Sequence, residues 1–249
     1  MPRPSYPVTL ISKKPLSANT IELTLAFDDK EQHFHYTAGQ FVQLLFTADG
    51  QQHKRSYSIA NTPENFNQYG HLNIAISFVE NGIASSLFKT ADTGLSMELT
   101  GPFGILTLPD AHERQLILGG TGTGIAPYHA MLSELEKRAA QGCNISVITG
   151  ARHRNESIYH DAFQKTAEKY ANFHYLTCLS REASIHTEQN EYTGYIQERF
   201  IDLSLDPDKD LVYLCGNPGM ITDATSLLIN QFGFVSKKIK REKYVYSGH

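Results

Sequence analysis

The chain of 249 residues has no tryptophan and only three cysteines, Cys143, Cys178 and Cys215, none of them near another. That spacing excludes a local CxxC metal or redox pair and supplies too few thiolates for a four-cysteine iron–sulfur cluster. It is the cysteine usage expected in a reducing cytoplasm. Long apolar runs are missing too, since none approaches the ~20 residues of a membrane-spanning helix. Met1-Pro2-Arg3-Pro4-Ser5-Tyr6 has no apolar stretch behind its charge, so no secretory signal is expected. There is no cationic excess: 22 Lys and Arg against 26 Asp and Glu leave a net charge of −4, which argues against nucleic acid as a partner. The eleven histidines are scattered, and the tightest pair, His33 and His35, fits a surface or strand role rather than a metal site. No metal is expected.

What is present is a globular composition, 41% hydrophobic and 19% charged, long enough for one large domain or two ordinary ones. The two halves differ in period. Over the first ~110 residues, short β segments alternate with turns. Thr20–Phe27 places Ile21, Leu23, Leu25 and Phe27 on one face; Gln40–Phe46, Ser56–Ala60, Leu72–Val79 and Met97–Thr100 follow, with one helix around Ser85–Lys89. This spacing predicts a closed or nearly closed antiparallel barrel over residues 1–110. Beyond Pro109 the pattern becomes alternating: strand Gln115–Gly119, helix Pro127–Ala140, strand Asn144–Thr149, helix Asp161–Tyr170 and strand Phe173–Leu179. A helix near Gln197–Phe200, a strand Leu211–Leu214 and a helix after Pro218 complete it. That alternation predicts an α/β, doubly wound parallel sheet over residues 111–249, with the boundary between Pro109 and Arg114.

Gly120-Thr121-Gly122-Thr123-Gly124-Ile125-Ala126-Pro127 joins a buried strand to a helix. Such a turn points main-chain N–H groups at an anion, and its glycines let a nucleotide approach the backbone closely. The third glycine of the ordinary dinucleotide fingerprint is absent; Ala126 and Pro127 stand there instead, and Pro suits a first helical turn. The second strand runs into Gly150-Ala151-Arg152-His153-Arg154, basic where an NAD-preferring site carries an acid, and the third into Ser180-Arg181-Glu182. Arg152 and Arg181 read either as a clamp for a 2′-phosphate or as ordinary surface arginines.

Taken with Arg55-Ser56-Tyr57-Ser58, Gly82-Ile83-Ala84-Ser85-Ser86-Leu87 and Cys215-Gly216-Asn217-Pro218-Gly219-Met220, this loop completes a set of motifs in one order. The set resembles that of the ferredoxin–NADP⁺ reductase superfamily, in R-x-Y-S, G-x-x-S, G-T-G-T-G-I-A-P and C-G-x-P-x-M, across nearly the whole chain. The resemblance implies an FAD-binding barrel and an NADP-binding α/β domain. It implies that Tyr57 packs on the isoalloxazine, that Ser58 hydrogen-bonds near flavin N5, that Ser56 belongs to the same motif and that Arg55 neutralises the pyrophosphate. Ile74, Ala75 and Ile76 would line the flavin, and Gly82, Ala84, Ser85 and Ser86 would hold its pyrophosphate at a helix start. In isolation Tyr57 is equally a strand aromatic and Ser58 a turn hydroxyl.

On the nucleotide side the resemblance assigns Thr121 and Gly122 to the nicotinamide ribose, Cys215 to the nicotinamide, and Gly216 and Met220 to the cofactor site. It assigns Ser180, Arg181 and Tyr195 to the adenosine 2′-phosphate end, where the strand-end reading adds Arg152. Ser58, Cys215, Glu242 and Tyr244 are the implied catalytic residues, with Tyr244, or else Tyr246, facing the flavin. The chain departs from plant-type members by continuing past Tyr244 to His249, and from many bacterial members in having Tyr195 where they have Arg. The activity implied is an FAD-dependent NADPH oxidoreductase that passes a hydride to flavin N5 and single electrons to ferredoxin or flavodoxin. The alternatives are a reductase of free flavin or of an oxygenase component, and an electron-transfer or regulatory subunit active only in a complex. The cluster Lys237, Lys238, Lys240, Arg241 and Lys243 reads as a solvated strand or tail, or as a docking patch for an acidic electron carrier. A cytoplasmic monomer without membrane or nucleic-acid partners is expected.

Overall fold

The computed structural model describes residues 4–29, 34–110 and 113–244. The chain divides into two compact units with the break between Leu108 and Pro109, and the short stretch Ala126–Met131 groups with the first unit.

The first unit contains β1 (Ser5–Ser17), β2 (Thr20–Phe27), β3 (Phe41–Ala48), β4 (Gln51–Ser58), α1 (Pro63–Tyr69), β5 (His71–Ser77), α2 (Ile83–Thr90) and β6 (Ser96–Phe103). Its sheet runs β4-β3-β6-β1-β2-β5, every pair antiparallel. The two edges meet through the Ile59–Ile74 bridge and the Ala60 N–H, which donates to the Asn73 carbonyl at 2.8 Å, so the sheet closes into a barrel. Alternation decides what fills it. Leu23, Leu25, Leu44, Leu72 and Ile74 are completely buried in one core, with Phe27 and Phe46 nearly so. Each such side chain contributes roughly 1.5–3 kcal/mol of transfer free energy.

Several boundaries differ from the sequence expectation. β1 is a 13-residue strand that carries Pro7 and Pro15 and shifts register twice, so no period of two shows in its sequence. β4 starts at Gln51, not Ser56; Asp49 and Gly50 both take positive φ (51° and 72°), the two-residue turn that joins twisted strands. α1 was not expected. It has a Thr62 cap accepting the Asn65 N–H at 3.2 Å, Pro63 in its first turn and left-handed Gly70 at its end, but no buried residue.

The second unit contains β7 (Gln115–Thr121), which runs through a 3₁₀ turn (Gly122–Ile125) into α3 (Ala126–Ala130), counted with the first unit, then α4 (Leu132–Ala140), β8 (Asn144–Ala151), α5 (His160–Lys169), β9 (Phe173–Leu179), β10 (Glu191–Thr193), a 3₁₀ stretch (Ile196–Leu203), β11 (Asp210–Gly216), α6 (Pro218–Asn230) and β12 (Ile239–Lys243). The sheet order is β10-β9-β8-β7-β11-β12, parallel throughout. The helix expected over Pro127–Ala140 is broken at Met131, whose N–H is shared between the Pro127 and Tyr128 carbonyls. Neighbouring residues of β9 show the double winding: the Tyr175 ring stacks on Phe163 of α5, while Leu176 joins the core built by Ile196, Phe200 and α6. β7 lies where the strand order reverses, with β8 on one side and β11 on the other. Ligands of such sheets bind beside the carboxyl ends of the strands at that reversal. Those ends are Thr121 and Gly216.

Candidate functional site

In the first unit, the expected platform lies at the end of β4. In register Leu44 faces Arg55, Val42 faces Tyr57 and Phe41 faces Ser58. Ser58 is buried, Tyr57 half-buried and Ser56 exposed. Burial pushes the Tyr57 hydroxyl well above its ordinary pKa, opposed by the charge of Arg55, so the phenol stays neutral. The Arg55 guanidinium donates to the Lys54 carbonyl at 2.8 Å. Ile74 and Ile76 spend their side chains in the barrel core, leaving only their main chain to offer a ligand.

The start of α2 fits a phosphate. Its N-cap is Gly82, with no side-chain cap, so the first-turn N–H groups keep their donor capacity. A Cβ at Gly82 would lie 3.0 Å from Ser85 Oγ and 3.1 Å from the Val79 carbonyl oxygen, so a larger residue fits only if these neighbours give by a few tenths of an ångström. Ser85 Oγ accepts the Val79 N–H at 2.8 Å and retains its own hydrogen to donate. Ala84 is half-buried and Ser86 is exposed.

In the second unit, two turns lock together. Thr121 Oγ1 accepts the Asn217 N–H at 2.9 Å. Gly216 has φ +118°, and a Cβ there would sit 2.5 Å from Thr121 Oγ1; a Cβ at Gly124 would sit 2.3 Å from the Cys215 carbonyl oxygen. Gly122, with φ +55°, is exposed and has nothing within 4 Å of an added Cβ, which leaves the open approach a nucleotide needs. Asn217 Oδ1 accepts the Gly219 and Met220 N–H groups at 2.8 and 3.1 Å and so caps α6. The sequence reading left out Asn217 as a site residue, although an Asn-Pro pair is an ordinary helix-start signal. Met220 is a core side chain.

Cys215 is completely buried. Burial pushes its thiol far up and the Glu242 charge adds to that, against a hydrogen bond from Tyr244, so the sulfur is a neutral thiol. Glu242 lies opposite Cys215 in the β11–β12 register. The Tyr244 N–H donates to the Gly216 carbonyl at 2.9 Å and its hydroxyl to the Thr123 carbonyl at 3.3 Å. Cys215, Gly216, Thr123 and Tyr244 therefore form one group. Tyr246 lies outside the described residues.

The strand ends expected to be basic are largely neutralised. Arg152 is forked on Glu156, Nε to Oε2 at 3.3 Å and a terminal nitrogen to Oε1 at 3.2 Å. Arg154 is forked on buried Glu191 at 2.5 and 2.6 Å, and its main-chain N–H donates to Glu182 at 2.8 Å. Hydrogen bonds from Arg154 are the first cause holding both the Glu191 and Glu182 carboxyls below the usual range. Arg181 is exposed, and among the described residues its side chain has no partner. Ser180 is half-buried beside it, and Tyr195, 59% exposed, starts the 3₁₀ stretch. Neither Glu156 nor Glu191 was singled out from the sequence, because each lies outside the motifs and is paired only by the fold.

Among the described residues no group of His, Cys, Asp and Glu is placed to hold a metal ion, and no helix is long and apolar enough to cross a membrane.

A closed antiparallel barrel with an open helix start, followed by a parallel sheet with a glycine turn at its reversal, defines the class of two-unit flavin and pyridine-nucleotide oxidoreductases. Residues 7–107 match the oxidoreductase FAD-binding domain and residues 118–226 the oxidoreductase NAD-binding domain. The chain belongs to the ferredoxin–NADP reductase-like family of oxidoreductases. It is 27% identical to ferredoxin–NADP reductase B of Sorangium cellulosum over 96% of this chain and 97% of that protein. It is 29% identical to the toluate 1,2-dioxygenase electron transfer component of Pseudomonas putida over 97% of this chain and 68% of that one. Its fold is that of a Neisseria gonorrhoeae ferredoxin NADP⁺ reductase with bound FAD and NADP, at a TM-score of 0.82 and 21% identity, over 96% of this chain and 98% of that chain. The chain is thus an electron-transfer oxidoreductase whose domains are those for FAD and a pyridine nucleotide.

Proposed function

We propose that the protein is an NADPH-dependent, FAD-containing reductase of ferredoxin or flavodoxin. The acceptor rests on one observation, the match along 97% of the length of a ferredoxin–NADP reductase. When bound, FAD would supply acceptance of a hydride from a nicotinamide and release of electrons one at a time. The chain's own residues bind and orient. The α2 start, Ser85 and Arg55 hold the pyrophosphate, and the neutral Tyr57 ring covers the isoalloxazine, with Ser58 donating at its edge. The Gly120–Gly124 turn takes the nucleotide phosphates, while Arg181, helped by Arg152, takes the 2′-phosphate and Tyr195 the adenine. Cys215 contributes shape beneath the nicotinamide rather than a nucleophile, since its thiol stays protonated. Tyr244, bonded to the nucleotide turn, must move for a nicotinamide to reach Cys215.

Adding one equivalent of NADPH to the protein under nitrogen tests this reading. A yellow protein whose flavin band bleaches promptly supports it, and one that bleaches with NADH but not NADPH overturns the choice of nucleotide. Arg181→Ala should weaken NADPH far more than NADH, and an equal effect on both would remove the 2′-phosphate assignment. The relative from Pseudomonas putida favours a second reading, a reductase of an oxygenase component. Rapid mixing of the reduced protein with flavodoxin separates the two, since slow transfer to flavodoxin would favour the second.

A further inference from the structure

Three arginines stand at the carboxyl ends of β8 and β9, and the fold treats them differently. Arg154 is out of service: its fork grips Glu191, a carboxylate only 3% exposed, which also accepts the His186 N–H at 2.9 Å. Displacing that carboxylate would strand a buried charge, so an incoming ligand does not take Arg154. Arg181 has no side-chain partner among the described residues. Arg152 lies between these extremes. Its side chain is 55% exposed and is held by Glu156 at 3.2–3.3 Å, a longer and wetter pair. Glu156 is itself kept in place by the tight turn Arg154–Glu156, through its own N–H to the His153 carbonyl and the Arg152 N–H to its carboxylate at 3.2 Å.

A carboxylate and a phosphate monoester compete for the same two-pronged face of a guanidinium. We infer that Glu156 is a specificity-determining residue that acts as an internal competitor for the 2′-phosphate of NADPH. It occupies the Arg152 fork when no nucleotide is bound, and it sets how strongly the enzyme prefers NADPH to NADH. NADH carries a neutral hydroxyl at that position, which neither competes for the fork nor is repelled by the carboxylate. The penalty therefore falls on NADPH alone. Glu191 has no such effect, because its carboxylate is buried and also holds the His186 N–H, so it does not yield Arg154 to a ligand. The inference rests on the 2′-phosphate reading of Arg152 and Arg181.

Glu156→Gln keeps the size and the acceptor for the Arg152 N–H while removing the charge. The holoenzyme variant should raise the ratio of kcat/KM for NADPH over NADH by up to about fivefold, the upper end for an exposed ion pair. The gain should disappear when Arg152→Ala is also present. Competitive inhibition gives a second readout that needs no turnover: 2′,5′-ADP should bind tighter to the variant, and 5′-AMP should not. A ratio that stays level or falls, or a gain that survives Arg152→Ala, overturns the role of Glu156 even if Arg181→Ala still selectively weakens NADPH. If Arg152→Ala and Arg181→Ala each weaken both nucleotides equally, the 2′-phosphate reading itself fails, which is a distinguishable result. A variant that weakens 2′,5′-ADP and 5′-AMP together marks Glu156 as structural only and overturns the inference.

Discussion

Thr121 Oγ1 accepts the main-chain N–H of Asn217 at 2.9 Å, and this bond joins the last residue of β7 to the first residue after β11. It spans the place where the strand order reverses, so it fixes the spacing of the two turns proposed above to hold the pyridine nucleotide. Thr121→Val keeps the shape and loses the acceptor. The expected cost is about 0.5–1.5 kcal/mol of stability, with weaker pyridine-nucleotide binding. Thr121→Ser should restore both, as read by chemical denaturation and nucleotide titration.

Two glycines of the same turn should respond differently to alanine. At Gly124 the added methyl meets the Cys215 main chain at 2.3 Å, a wall that no rotamer change relieves. Overpacking of this kind costs about 1–3 kcal/mol or more. At Gly122 space is open and the penalty is conformational, from φ +55°, on the order of 1 kcal/mol. Gly124→Ala should therefore lower the melting temperature more than Gly122→Ala. The reverse order would show that this turn relaxes easily.

The barrel and the doubly wound sheet were legible because their signals are local. Thr20–Phe27 alternates and its apolar face is the core face; Phe173–Leu179 is a strand with those same ends. What escaped lacks hydrophobic periodicity. α1 sets only the half-buried Phe66 against the core, β1 carries two prolines, and the first half of β4 is Gln51-Gln52-His53-Lys54. The basic cluster, read as a solvated strand or tail or as a docking patch, holds the edge strand β12, and Lys238 just before it reaches Glu113 at 3.3 Å. The motif residues could be located in the sequence only through the family resemblance. The charge at the site could not be read even so, because Glu156 and Glu191 cancel Arg152 and Arg154 only after the loops fold. A run of arginines in sequence overstated the positive field at the site.

The Arg154–Glu191 pair ties the loop after β8 to β10, and Arg154 also reaches the Ser184 carbonyl at 2.9 Å. Glu191→Gln should lower thermal stability more than Glu156→Gln does, because Glu191 is buried and holds three donors in two loops. Replacing both partners by apolar residues of similar volume should recover much of the loss. Limited proteolysis between Ser180 and Asn190 checks the local origin, since accelerated cleavage is expected there in the single variant and not in the pair.

His129 gives the fold a pH dependence of known sign. Its Nδ1 lies 2.7 Å from the Ala60 carbonyl oxygen, so that nitrogen carries the hydrogen and donates. Burial holds the imidazole below its ordinary pKa; the Ala60 bond and the Glu22 charge oppose this, and Lys14 assists it. A folded-state value below the unfolded one means the native chain binds fewer protons. This contribution is thus full above about pH 6.5 and is lost as pH falls below it. The lowered carboxylates Glu182 and Glu191 have the same sign but act only at more acidic pH. His129→Asn keeps a donor for Ala60 and cannot be charged. Between pH 7.5 and 5.5 the parent should lose more melting temperature than the variant, and parallel curves would assign the loss to another group.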